Sequence, residues 1–247
     1  MITHEDQADV IERTQSYWAK EVETERFRAI FAGKEIGHRI ADYVDEHTTG
    51  MLAASFDTRQ QLDARGRPRA RSMGDIWLRS SGIYNPINVK AGEAGKNGQQ
   101  NLVSLTKQLD ALLGREIDSY YLLIVKMRFQ ERPPSEGTRR PTVNTQKILP
   151  NVYLVDMLDY LDYVTFDSGP GQCMLKEKQF YDFCDGGAKP PERRIGEKVA
   201  RLIDLLEDGD RRLIENRRKK MNRIRSSFAR YETLNSHVVD QRALNIG

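Results

Sequence analysis

The run Ser119-Tyr120-Tyr121-Leu122-Leu123-Ile124-Val125-Lys126-Met127-Arg128-Phe129 constrains the fold of this chain more than any other segment. Its apolar residues are consecutive rather than alternating, and many are β-branched or aromatic. Neighbouring side chains of a strand point to opposite faces, so such a run needs cover on both. A strand buried twice over marks a parallel or mixed sheet with helices above and below. Upstream, Leu102, Leu105, Leu109 and Leu112 recur at helical spacing and predict a helix over 101–113. Residues 74–90 read as two short strands joined by Ser80-Ser81-Gly82. Hairpin, helix and buried strand, in that order, describe a crossover returning to its own sheet. The expected class is therefore α/β.

The hairpin carries chemistry. Asp75 opens its first strand, and Asn88-Val89-Lys90 closes its second. Residues i and i+2 of a strand share a face, which puts Asn88 and Lys90 on one side. With Asp75 on that side, a hard oxygen ligand, an amide oxygen and an ammonium converge. That inventory suits Mg²⁺ and a phosphodiester together.

Asp75 followed by Asn88-x-Lys90 resembles the PD-(D/E)xK nuclease motif, and the region from about Gly33 to Asp167 is faintly similar to SwaI-like restriction endonucleases. The resemblance implies a restriction-endonuclease-like mixed central sheet flanked by helices, with additional N- and C-terminal helices. It implies Mg²⁺ held by Asp75, Asn88 and the backbone carbonyl of Val89, with Lys90 serving the attacking water. It also implies an acid on the helix before the hairpin, for which Glu35 is the candidate; a glutamate in a first turn also simply complements the helix dipole. The chain departs from the motif at Asn88, where the family has Asp or Glu. Asparagine keeps a ligating oxygen and loses a charge, whether it is native here or replaces an acid. Glu93 is a reserve carboxylate, or else a solvated loop residue.

Net charge is only +3, but the basic residues are clustered. Arg65, Arg67, Arg69 and Arg71 alternate ahead of the hairpin, Arg139 and Arg140 sit among prolines, and residues 211–225 hold eight Arg and Lys against Glu215. Such clusters are either solvated faces or the footprint of a polyanion. Beside a nuclease-like hairpin they point to double-stranded DNA. Base reading needs bidentate side chains; Lys96, Asn97, Gln99 and Gln100 are the first choice, then Arg139, Arg140, Asn144 and Gln172. Cys173 and Cys184 have neither metal-ligand spacing nor a disulfide framework. No run approaches the ~18 apolar residues of a membrane span, and no secretory h-region opens the sequence. A cytoplasmic protein is expected.

The whole chain, 1–247, reads as one nuclease domain, with a core of about 33–170 and a helical C-terminal region of about 191–234. Helices are predicted over 7–32 and 34–54, a long Pro-rich loop over 130–150, strands in VYLVDML and YVTFD, and a turn at 168–172. Gly209 is expected to split the C-terminal helix in two. Both terminal helices are amphipathic enough to form a homodimer face or to pack on their own sheet. The function expected is a Mg²⁺-dependent, sequence-specific endonuclease, a type II restriction enzyme. A non-catalytic nucleic-acid-binding protein and a repair or recombination nuclease without fixed specificity are the alternatives.

Overall fold

The computed structural model describes residues 1–31, 38–60, 73–93, 99–132 and 142–244. Its centre is a five-stranded sheet of β1 (Thr58–Arg59), β2 (Ile76–Ser80), β3 (Ile83–Glu93), β5 (Tyr121–Arg132) and β6 (Thr142–Asp156), in the order β1-β2-β3-β5-β6. β2 and β3 form a hairpin whose two-residue turn, Ser81-Gly82, has φ of +50° and +80°. Positive φ at both turn residues is what the right-handed twist of a tight hairpin demands. β3 and β5 are parallel, from Ile87 opposite Tyr121 to Glu93 opposite Met127. Their crossover contains β4 (Gln99–Ser104) and α4 (Leu105–Leu113). β6 returns antiparallel to β5.

The consecutive apolar run of β5 is divided between two cores. Tyr121, Leu123, Val125 and Met127 meet Val10, Trp18, Val44 and Leu52 of α1 (His4–Glu21) and α3 (His38–Ser55), together with Phe27 of the short α2 (Glu25–Phe31). Leu122 and Ile124 meet Leu105, Leu109 and Leu112 of α4 on the other face. That second core also takes Phe180 of α5 (Glu177–Asp185) and Leu202 and Leu205 of α6 (Ile195–Leu244). A small sheet completes it, β4-β8-β7, with β7 at Val164–Asp167 and β8 at Gln172–Lys176. The class is mixed α/β, with helices on both faces and further helices at either end.

Several elements differ from the sequence expectation, each for a physical reason. The first helix is two: α1 ends near Val22, and Thr24 starts α2 by accepting the Phe27 N–H at 3.1 Å. The helix expected from Asn101 begins at Leu105, because Leu102 and Val103 belong to β4 and face the α4 core. Much of the expected 130–150 loop is strand, and Pro150 lies within β6 opposite Met127. β6 is an outer strand, where a residue without an N–H is tolerated. Gly209 does not break α6, which runs for 50 residues. A Cβ at Gly209 would overlap the Phe166 ring and stand 3.0 Å from the Ser168 hydroxyl. Glycine is there so that α6 can lie against β7.

A buried ion pair locks α6 to the sheet. Lys198, 1% exposed, places its ammonium 2.7 Å from Asp156 and 3.4 Å from Asp159. The same Asp156 carboxylate accepts the backbone N–H groups of Tyr120 and Leu158, each at 3.1 Å. Removing one member of such a pair strands the other charge in the interior, at a cost of about 3–5 kcal/mol. Lys198→Met should therefore lower the urea midpoint by that equivalent with an unchanged slope. A shift worth less than ~0.5 kcal/mol, the range of neutral surface changes, would show the pair to be dispensable.

Candidate active site

β2 stops at Ile76, while β3 continues to Glu93 with β5 as its partner. Beyond Ile87, no strand among the described residues pairs with the side of β3 that faced β2. Gly74 makes the parting possible: a Cβ there would lie 2.9 Å from both the nitrogen and the oxygen of Ile87. Asp75 then takes over the ladder with its side chain, one carboxylate oxygen accepting the Val89 N–H at 2.7 Å. The carbonyl of a strand residue faces the side on which its N–H donates. The Val89 carbonyl thus looks into the same opening.

Asn88 and Lys90 flank Val89 on the α4 face of β3. Asn88 is 7% exposed, and its amide oxygen is buried without a hydrogen-bond partner. Lys90 is half-buried and close enough to Asp75 to favour its ionised form. Burial nevertheless prevails at Asp75 and raises its pKa above the ordinary carboxylate range, against the pull of Lys90 and the Val89 hydrogen bond. Tyr120 stands beside this group, just ahead of β5 and wholly buried. Its hydroxyl has no aligned partner, although the Asn88 amide is within hydrogen-bonding reach. Burial, and then the Asp75 charge, raise the Tyr120 pKa well above its usual value, so the phenol stays protonated.

One acid joins the site that the sequence reading did not single out. Asp45 of α3 is pushed up to about 6, first by burial and then by the Asp75 charge; Lys90 and a hydrogen bond from Thr49 act the other way. That bond is 3.3 Å long. The signal was present in the sequence. Asp45 lies between Val44 and Thr48-Thr49 on the stripe that α3 turns inward, where a solvated acid has no place.

The structure thus brings Asp75, Asn88, Val89 and Lys90 together and adds Asp45. Glu35, Lys96, Asn97, Arg139 and Arg140 lie outside the described residues, as do Arg65, Arg67, Arg69 and Arg71. Gln99 and Gln100 are on β4 and Asn144 on β6, and Glu93 ends β3; their side chains lie outside the description as well. Gln172 is on β8 of the small sheet, opposite Ser104 and Asp167.

Among the described residues, no group of three or more His, Cys, Asp and Glu side chains could hold a metal ion. The donors gathered at β3 are of another kind: the Asp75 carboxylate, the orphaned oxygen of Asn88 and the Val89 carbonyl. All are hard oxygens with few formal charges, and they fit Mg²⁺, which keeps several of its waters and accepts one or two carboxylates. The repulsion that Asp75 exerts on Asp45 also fits, since a divalent cation relieves repulsion between like charges. Neither the protein-family models nor the curated proteins compared with this chain give a match.

The raised Asp45 makes stability depend on pH. Well below its ordinary value of 3.8, the group is protonated in both folded and unfolded chains and costs nothing. As pH rises from there through about 6, the unfolded chain ionises first and the folded state loses relative stability. Thermal melting should therefore fall across this window. Asp45→Asn should flatten the fall and raise the melting temperature at pH 7 but not well below pH 3.8. An identical pH profile in the variant would remove Asp45 from the charged cluster.

Proposed function

We propose that this chain is a Mg²⁺-dependent, sequence-specific endonuclease acting on double-stranded DNA, of the type II restriction class, and that it works in the cytoplasm as a homodimer. The observation that carries the proposal is the parting of β2 from β3. It leaves Asp75, the orphaned Asn88 oxygen and the Val89 carbonyl around one opening, with Lys90 one pleat further on. This is the arrangement the PD-(D/E)xK motif implies. Bound Mg²⁺ would neutralise charge at the scissile phosphate. Asp75 and Asn88 would hold it, together with the Val89 carbonyl. The Lys90 ammonium orients the attacking water by hydrogen bonding and stabilises negative charge as it develops on the phosphorus oxygens. Asp45 adds a second acid to the cluster, one that without a cation accepts a proton near pH 6. Asn88, which brings no charge, is the observation that favours a second reading, a non-catalytic nucleic-acid-binding protein.

Lys90→Ala distinguishes the two. Lys90 acts on the chemical step, so its loss should lower cleavage of mixed genomic DNA by at least ~10²-fold, the scale of one lost transition-state donor. DNA binding should stay within a few-fold, and Asp75→Ala should abolish the Mg²⁺-dependent rate. Discrete fragments from the unaltered chain support sequence specificity, and a smear supports a repair-type nuclease. An active Lys90→Ala chain would sink the reading.

The C-terminal half of α6 supports both DNA and dimer partners. Residues 210–233 lie almost wholly exposed, a helix about 35 Å long at 1.5 Å per residue. Arg211, Arg212, Arg217, Arg218, Lys219, Lys220, Arg223, Arg225 and Arg230 line it against Asp210, Glu215 and Glu232. Ile214, Met221, Ile224, Phe228 and Tyr231 form a row on it at heptad-like spacing, each 49–66% exposed. A narrow row of this spacing is the seam of a two-helix coil. In a dimer, the basic flanks would repel until phosphates neutralise them. Replacing Arg217, Arg218, Lys219 and Lys220 with Ala should flatten the slope of log K for DNA against log salt by ~0.9 for each phosphate that is no longer neutralised. Met221→Glu with Phe228→Glu should give a monomer by sedimentation. An unchanged slope would place the helix away from DNA, and an intact dimer would place the seam elsewhere.

A further inference from the structure

The Asp75 site has an orientation problem that an acid in place of Asn88 would not have. A carboxylate looks the same after a half-turn, whereas an amide presents an acceptor on one side and two N–H donors on the other. Only the acceptor can meet a cation. Asn88 stands where β2 parts from β3, beside the Asp75 carboxylate, with the Asp45 acid on α3 close enough to interact with Asp75. Left alone, an amide beside carboxylates turns its N–H₂ toward them and closes the opening with a hydrogen bond. In the structure this has not happened. Asp75 takes its hydrogen bond from the Val89 N–H, and the Asn88 oxygen remains unpartnered.

We infer that Tyr120 is the positioning residue that selects the metal-ready orientation of Asn88, its buried hydroxyl accepting from the amide nitrogen so that the amide oxygen faces Asp75. Three observations support this. Tyr120 and Leu122 flank Asn88 on the same face, because Asn88 pairs with Leu122 and Ile87 with Tyr121 across the parallel ladder. The Tyr120 hydroxyl is fully buried with no aligned partner, and the Asn88 amide lies within its reach. The Tyr120 backbone is itself fixed, its N–H held at 3.1 Å by Asp156, which Lys198 neutralises. A rigid, neutral hydroxyl is an acceptor that competes with the carboxylates without adding charge.

The inference rests on the Mg²⁺ site proposed above, and the experiment separates the two. Mg²⁺ binding to the full chain is measured by calorimetry in four forms: unaltered, Tyr120→Phe, Asn88→Asp, and both together. Supporting groups of this kind typically control metal affinity by 10–100-fold. Tyr120→Phe should weaken Mg²⁺ binding about ten-fold in the Asn88 chain and less than about two-fold in the Asn88→Asp chain, where no flip exists. Packing damage from the missing hydroxyl falls equally on both backgrounds and so cancels. Equal losses in the two backgrounds, or none in the Asn88 chain, would overturn the role. Should the variants fail to fold, the side-chain amide of Asn88 in the unaltered chain decides by nuclear magnetic resonance. Slow hydrogen exchange of that amide, with a contact to the Tyr120 ring, is expected; free exchange overturns the inference. An unaltered chain that binds no Mg²⁺ sinks the endonuclease reading, while the amide measurement still decides the orientation.

Discussion

The parallel ladder between β3 and β5 is the constraint on which everything else depends. Its register sets Tyr120 and Leu122 beside Asn88, and it occupies one side of β3 so that only the other can open. Parallel strands need a long crossover between them, which here supplies β4 and α4 and with them the cover of one face. Burial on both faces makes a slip of one residue costly. Such a slip would exchange Leu122 and Ile124 with Tyr121, Leu123 and Val125 between two differently shaped cores.

Charge is concentrated where that ladder leaves a gap. Asp75 and Asp45 are held together against their mutual repulsion, with Lys90 as partial compensation. The buried Asp156 carboxylate is held differently. Asp156 is surrounded by Lys198 and two backbone donors, and each of its interactions has a structural purpose. The contrast is informative, because buried carboxylates that repel one another without full compensation cluster at functional sites.

The sheet was legible where pattern and burial agree. The unbroken apolar run at 119–129 announced a doubly covered strand, and Asp75 with Asn88-Val89-Lys90 announced the hairpin that parts beside it. Legibility failed where one residue type serves two ends. Gly209 reads as a helix breaker, yet it is required by the Phe166 ring of another element, a neighbour that no local window contains. Leu102 fits a helical stripe as well as it fits the short strand to which it belongs. Pro150 suggested a loop because the sequence does not say which strand will be outermost. Asp45 was missed because its partner Asp75 lies thirty residues further on, and only the packing of α3 on β3 brings them together.

The tight Ser81-Gly82 turn also bears on the order in which the molecule assembles. A hairpin zips from its turn within microseconds, whereas a parallel pair has no turn to start from and waits for its crossover to collapse. The strand that carries Asn88 and Lys90 can therefore form early, hydrated and harmless, with its two charge-bearing neighbours still apart. Tyr120 arrives only when β5 docks. The polar centre of this protein can thus keep its water until β5 docks.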